Sequence, residues 1–358
     1  MIFDGIVRQL VSGTAIASCA RFSGPYNGVG TRFSASVAPP NIARSIFQKP
    51  LSRPRSAING LCLPQQFLCE TMPLITSLSN PRISKVRTLH TAHGRKKNGL
   101  FLMEGPNLLE ALLAAQVVPH EVYYQPALLR RTERGSLLLD RLRRMPALSS
   151  DCLIEVSEHV IESISETQTS QGIVCVLPLS ALDHRRIQAQ RVQAYRPALL
   201  ILDTLTDPGN LGTILRTALA ADVERVLLTP DCADYYSPKV LRAAAGAHLM
   251  LPVEIDLSWA AIEERVALHC RTLGDDQVPR VLLAEASSPL RYYDLDLAKP
   301  FALIIGNEAH GPSQAARALA THSISIPLAN GVESLNAAVA TGIILYVSIP
   351  NGLRRPFS

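Results

Sequence analysis

The sequence predicts an α/β protein of two unequal α/β domains, the larger one C-terminal and built on a parallel sheet. Three observations carry that expectation. From Pro197 onward, the apolar runs "PALLILDTL", "VERVLLT", "VLLAEA" and "FALIIG" have strand length, and each is followed by turn residues and a helical pattern. These runs are apolar throughout rather than alternating, as parallel strands buried on both faces are. Upstream, from Met72 to about Leu179, shorter strand-like runs alternate with helical segments over a span of small-domain size.

Residues 1–71 precede both domains and differ in texture, being rich in Ser, Pro and Gly, acid-poor and without clear periodicity. They hold seven basic residues against two acids, Asp4 and Glu70, which accounts for the whole formal charge of +5 and leaves the rest of the 358 residues neutral. Such a stretch cannot bury enough apolar surface to offset its ordering entropy, so a disordered basic extension is expected. Its Arg- and Ser-rich composition also fits an organelle transit segment. Translation beginning at Met72 is a third reading. A cytoplasmic protein is expected, with a mitochondrial or plastid one as the alternative if 1–71 is a transit peptide.

From Met72 to Leu179 the spacing predicts a helix, a basic loop, a short strand and a second helix on which Leu108, Leu109, Leu112 and Leu113 share a face. The runs "EVYYQ", "CLIEVS" and "QGIVCVLPL" read as further strands. This first domain covers residues 72–180. Residues 181–196 are polar and basic and read as a linker. The second domain covers 197–358 and closes on the apolar helix "ESLNAAVATGIILYVSI". No run approaches the ~18 apolar residues of a membrane-spanning helix. The seven cysteines have no C-x-x-C pair, which fits reduced thiols and gives no metal-ligand spacing. No metal is expected.

Three blocks in the second domain stand out. "DPGNLGTILRTALAA" follows a strand, turns at Asp207-Pro208-Gly209 and opens a helix near Asn210 or Gly212, with Arg216 in its first turns. A helix N-terminus with a nearby arginine suits an anion, although a capping Asn and a surface Arg give the same pattern. "FALIIGNEAHGPS" breaks a buried strand at Gly306 into a loop bearing Asn307, Glu308 and Gly311. Strand-end loops of parallel sheets are where such folds bind ligands, while a helix-capping Glu308 is the plainer alternative. "ISIPLANGVESLNAAVATGIILY" is a short strand, a Gly-containing loop and a helix opening at Ser334-Leu335-Asn336. By itself it reads as a tightly packed core helix with polar caps. No G-x-G-x-x-G follows a strand, which disfavours a Rossmann-type dinucleotide or methyl-donor site.

In order and spacing, "DPGNLGTILRTA", "IIGNEAHG" and "IPLANGVESLNAAVA" resemble the three signature motifs of the SpoU/TrmH branch of the SPOUT RNA methyltransferases. "SPKVLRAAAGAHLMLPV" resembles the family's segment between its first two motifs. "SNPRISKVRTLH", "GLFLMEGPNLLEALL" and "ISETQTSQGIVCV" are similar to the accessory substrate-binding domain of its rRNA members. Ala337, Ala338 and Ala244 stand where larger or polar residues are frequent.

That resemblance implies a C-terminal trefoil knot, which spacing alone would not suggest because threading is rare. It implies S-adenosylmethionine as methyl donor, held by Gly306, Ile326, Leu328 and Leu335. Asn210, Arg216, Glu308, Ser334 and Asn336 match the family's polar active-site positions. The implied reaction moves a methyl group to a ribose 2′-hydroxyl of RNA, with large-subunit rRNA expected, a tRNA or a catalytically silent RNA-binding role as alternatives, and a homodimer formed through the knotted domain. Arg216 as a free base would cost on the order of 8 kcal/mol at neutral pH, at about 1.36 per pK unit. A guanidinium that polarises the hydroxyl and clamps the adjacent phosphate is the better fit. The bland reading of the basic stretch between Met72 and Met103 is a solvated charged face. Its lack of acids favours RNA contact through Arg82, Lys85, Arg87, Arg95, Lys96 and Lys97, with His90 and His93 among them.

Overall fold

Capping side chains and apolar spacing set where each element begins. In the computed structural model, residues 74–145, 150–167, 169–191, 195–273 and 279–348 are described; the tail of residues 1–71, the Met72 start and the last ten residues of the second domain lie outside them. Asn80 caps α1 (Pro81–Thr88) by accepting the Arg82 N–H. Thr91 caps α2 (Ala92–Asn98), and Gly99, left-handed at φ 65°, stops it. The basic stretch expected as a loop is therefore largely helical, because its two ends carry the right cap chemistry.

The next elements are β1 (Leu100–Glu104), α3 (Pro106–Ala114), β2 (Glu121–Tyr124), α4 (Pro126–Leu129), α5 (Glu133–Arg143), β3 (Leu153–Glu155), α6 (Glu158–Ile164) and β4 (Ile173–Pro178). Their sheet has the order β1-β4-β2-β3, antiparallel except for the parallel β2/β3 pair. Leu100 and Leu102 of β1 join one core with Ile83, Val86 and Ile161, while Phe101 and Met103 join another with Leu109, Leu112 and Leu138. Alternate residues thus enter opposite apolar layers, which explains strands without polar alternation.

The stretch read as a linker is ordered where it is described. Asp183 caps α7 (His184–Gln190), Ile187 is buried, and Arg191 donates to the carbonyls of Val223 and Glu224. There follow β5 (Ala198–Leu202), α8 (Pro208–Ala220), β6 (Val226–Leu228), α9 (Pro238–Ala244), β7 (Val253–Glu254), α10 (Trp259–Thr272), β8 (Val281–Ala284), β9 (Phe301–Ile305), α11 (Gln314–Leu319), β10 (His322–Ile324) and α12 (Ala337–Ser348). The six strands form one all-parallel sheet in the order β10-β8-β9-β5-β6-β7. The short β7 was not foreseen, since two residues carry no pattern.

Leu200, Leu202 and Leu303 face the layer of α8, α9 and α12; Leu199, Ile201 and Ile304 face Ile262 and Val266 of α10 and Ala316 of α11. From β10 at the sheet edge the chain passes the ends of β8 and β9 and lays α12 against α8, the helix that follows β5. The apolar layer beneath α8 is continuous with that beneath α3 and α5, so both sheets share one core. No helix among the described residues is long and apolar enough to cross a membrane.

Candidate active site

The first block begins its helix slightly earlier than expected. Asp207, not Asn210, is the cap, its Oδ1 accepting the Asn210 N–H at 2.6 Å, with Pro208 in the first turn. This frees the Asn210 side chain to face outward from the helix end. α8 then buries Leu211, Ile214, Leu215 and Ala218. Gly212 lets α9 approach, because a Cβ there would lie 2.6 Å from the Val240 carbonyl.

The second block leaves β9 in a loop tied back to the first. Asn307 Nδ2 donates to the Thr204 carbonyl at 2.7 Å, and its Oδ1 accepts the N–H groups of Ala309 and His310. Thr204 sits at φ 51°, which is strained for a β-branched residue. Asp203, 1% exposed at the end of β5, accepts the Ser313 N–H at 2.6 Å. Gly306 cannot be larger, since a Cβ there would lie 2.6 Å from Pro312 N and 2.7 Å from its Cα.

In the third block Asn336 is the cap of α12, its Oδ1 accepting the N–H groups of Ala338 and Val339, so the helix proper starts at Ala337 rather than Ser334. The loop before it turns through Asn330 and Gly331, both at positive φ.

These loops enclose a cleft of about 620 Å³ at the C-terminal ends of β8, β9 and β10. Its size suits a small-molecule ligand, for which roughly 300–1,000 Å³ is usual. Gly306, Ile326, Leu328 and Leu335 all line it, as do Asn210, Glu308, Ser334 and Asn336. Asn336 Nδ2 donates to Asn210 Oδ1 at 2.8 Å, and Asn210 Nδ2 donates to Glu308 Oε1 at 2.9 Å. One hydrogen-bonded chain therefore joins all three blocks, across 126 positions from Asn210 to Asn336 and 98 to Glu308.

Arg216 stands apart. It is exposed on α8 and is not part of the cleft wall. Glu285, Ala286, Ser287 and Arg317 also line the cleft and were not anticipated. Glu285 pairs with Arg317 and accepts from Ser323 Oγ at 2.9 Å. The signal that could have found the first three was the end of the strand "VLLAEA", since the loops after parallel strands converge on one edge of the sheet, whereas Arg317 comes from α11.

Of the proposed RNA contacts, Arg82, Lys85 and Arg87 are exposed on α1, and Lys96 and Lys97 on α2. Arg95 is not: it is 5% exposed and paired with Asp234. A run of charges does not reveal which member the helix turns inward, and here Arg95 leaves the solvent-facing set.

The parallel α/β domain, its strand-end cleft and the three polar blocks joined side chain to side chain lie within the stretch that matches the SpoU methyltransferases. The chain belongs to the SpoU rRNA methylase family, whose model matches residues 197–346. Residues 80–175 match the MRM3-like substrate binding domain. An uncharacterized tRNA/rRNA methyltransferase of Synechocystis sp. is 36% identical over 278 residues, covering 76% of this chain and 92% of the relative. The 23S rRNA (guanosine(2553)-2′-O)-methyltransferase of Bacillus subtilis is 30% identical, covering 77% and 98%. Human mitochondrial rRNA methyltransferase 3 is also 30% identical, covering 74% and 71%. Among solved structures, an AdoMet-bound rRNA methyltransferase from Sinorhizobium meliloti aligns with TM-score 0.61 at 26% identity, over 77% of this chain and 97% of that one. An RNA 2′-O ribose methyltransferase aligns with TM-score 0.61 at 25% identity, over 78% and 100%.

Proposed function

We propose that this chain transfers a methyl group from the sulfonium of S-adenosylmethionine to a ribose 2′-oxygen of large-subunit rRNA, breaking the sulfur–methyl bond and releasing S-adenosylhomocysteine and the hydroxyl proton. The observation that carries the reading is the Asn336–Asn210–Glu308 chain on the wall of an otherwise largely apolar cleft. The match of residues 80–175 to a substrate-binding domain and the rRNA activities named for the relatives support the choice of RNA.

The cleft fits the donor: Gly306 keeps backbone exposed to it and Ile326, Leu328 and Leu335 supply apolar walls. When bound, S-adenosylmethionine supplies an electrophilic methyl on sulfur. The chain's own residues orient the acceptor. Asn336 fixes the Asn210 amide, which in turn holds one oxygen of the solvent-exposed Glu308 carboxylate in place. Ser334 lies on the same wall. Arg216, outside that wall, suits a guanidinium that polarises the 2′-hydroxyl and clamps the adjacent phosphate, with the hydroxyl proton lost late.

We assign residues 72–180 to RNA selection, 181–196 to the connection and 197–358 to catalysis. Arg82, Lys85, Arg87, Lys96 and Lys97 are the RNA contacts of the first part. The passage from β10 to α12 past the ends of β8 and β9 supports a trefoil threading. On α12, Val339 and Tyr346 are each 52% exposed and Val347 49%. That apolar stripe supports a homodimer through this domain. The protein is placed in the cytoplasm, or in a mitochondrion or plastid if residues 1–71 are a transit peptide; its relatives include both bacterial and mitochondrial rRNA methyltransferases.

The deciding experiment supplies labelled S-adenosylmethionine with unmethylated large-subunit rRNA or with tRNA and maps label to the ribose. Label at a ribose of the rRNA is expected. Label on tRNA alone, or none, overturns the reading. Arg216→Lys is expected to lose most turnover, and near-full activity in that variant would remove Arg216 from the mechanism.

A further inference from the structure

The Arg95-Lys96-Lys97 run splits in two: both lysines face solvent, whereas Arg95 is buried and spans to the far half of the chain. Its Nη1 donates to the carbonyls of Leu89 and His90, 2.8 Å each, which clamps the turn between α1 and α2. Its Nη2 pairs with Asp234, just ahead of α9. The other Asp234 oxygen accepts the Tyr236 N–H at 2.9 Å, and the Tyr236 ring packs on Phe101 of β1 at 5.5 Å. A second tie lies beside the first, where Glu166 bridges His90 Nδ1 at 3.4 Å and Arg242 Nη1 of α9 at 3.3 Å. α9 in turn lies on α8 at Gly212, in contact too close for a Cβ.

We propose that Arg95 is a positioning residue: paired with Asp234, it sets the register between the basic helices α1 and α2 and the active-site helix α8, and so selects which ribose of the bound RNA reaches the cleft. The pair is buried on the Arg95 side and partly exposed at Asp234, and ion pairs out of full solvent are a weak source of stability but a better-attested means of fixing register. The guanidinium fork serves two carbonyls from Nη1 and a carboxylate from Nη2, a spread that the single nitrogen of a lysine does not match. Arg242 with Glu166 is the outer member of the same device. The proposal rests on the RNA-methyltransfer reading above.

The test compares the full-length wild type with Arg95→Lys and Arg242→Gln, using labelled S-adenosylmethionine and an unmethylated large-subunit rRNA transcript. Donor affinity, kcat, KM for RNA and the position of each methyl group are measured. Arg95→Lys is expected to hold donor affinity within about twofold of wild type while kcat/KM for RNA falls about tenfold and methyl groups spread to riboses next to the wild-type target. Arg242→Gln, at a partly exposed site that cannot collapse the core, is expected to spread methylation in the same direction to a smaller extent. It decides the matter if Arg95→Lys does not fold. Wild-type methylation with single-site fidelity kept in Arg242→Gln and in every folded Arg95 variant overturns the proposal alone. A wild type that leaves rRNA unmethylated overturns the underlying reading, and this one with it.

Discussion

At the scale of single residues, Gly306 joins fold to chemistry. The backbone of Pro312 stands 2.6 Å from where a Cβ would be, and proline cannot rotate away. Gly306→Ala is therefore expected to displace the loop after β9 and to weaken S-adenosylmethionine binding by about tenfold or more, measured by calorimetry. His248 makes a different point. It is fully buried, with Nε2 against the Tyr235 carbonyl at 3.1 Å, and burial pulls its imidazole down to about 4. An imidazole with a folded pKa below its unfolded value takes up its proton more readily when unfolded. Stability is then complete above about pH 6.5 and falls as the pH drops towards 4. Between pH 7.5 and 5 the wild type should lose about 2 kcal/mol more than His248→Gln does, read from urea midpoints at each pH. Equal losses would contradict this assignment. Much of the cleft was legible at this scale, because Asn210, Glu308, Ser334 and Asn336 lie in blocks whose order is distinctive. Arg95 was not, since charge pattern carries no information about facing. Glu285 and Arg317 were hidden for another reason: their meeting depends on which strand ends are neighbours.

At the scale of elements, α12 has two faces of opposite fate. Ala338, Thr341, Ile344 and Leu345 are buried, whereas Val339, Tyr346 and Val347 stand about half exposed with the partly buried Ile343 between them. Val339, Ile343, Tyr346 and Val347 follow helical spacing on one side. Val339→Glu with Tyr346→Glu is expected to yield a monomer by light scattering with thermal stability little changed, because neither side chain fills the interior. A mass unchanged from wild type would remove this face from the interface. The strands of the parallel sheet were readable because they are apolar on both faces. The α2 segment was misread as a loop because its charges obscured its caps, Thr91 and Gly99. The stretch from 181 to 196 reads as a linker by composition; where it is described, Ile187 is buried and Arg191 donates to the Val223 and Glu224 carbonyls.

At the scale of the whole molecule, the single core beneath both sheets makes the basic helices α1 and α2 part of the same body as the cleft. Lys96 and Lys97 are exposed, so replacing them changes charge rather than the fold. Their joint replacement by glutamine is expected to weaken RNA binding about tenfold near 0.1 M salt and to lower the log–log salt slope by roughly 1.5, with donor affinity unaltered. An unchanged slope would take these lysines off the RNA.

The side-chain path from Asn336 to Asn210 spans 126 positions of sequence. In a chain emerging from the ribosome, the helix bearing Asn210 is made long before the residues that complete the cleft around it. Contacts of such separation close slowly, after local structure has formed. A nascent or truncated chain that lacks the residues around Asn336 lacks one wall of the cleft and is unable to hold a methyl donor. Donor occupancy is therefore a signature of completed folding, and bound S-adenosylmethionine shifts the folding balance towards the finished molecule alone.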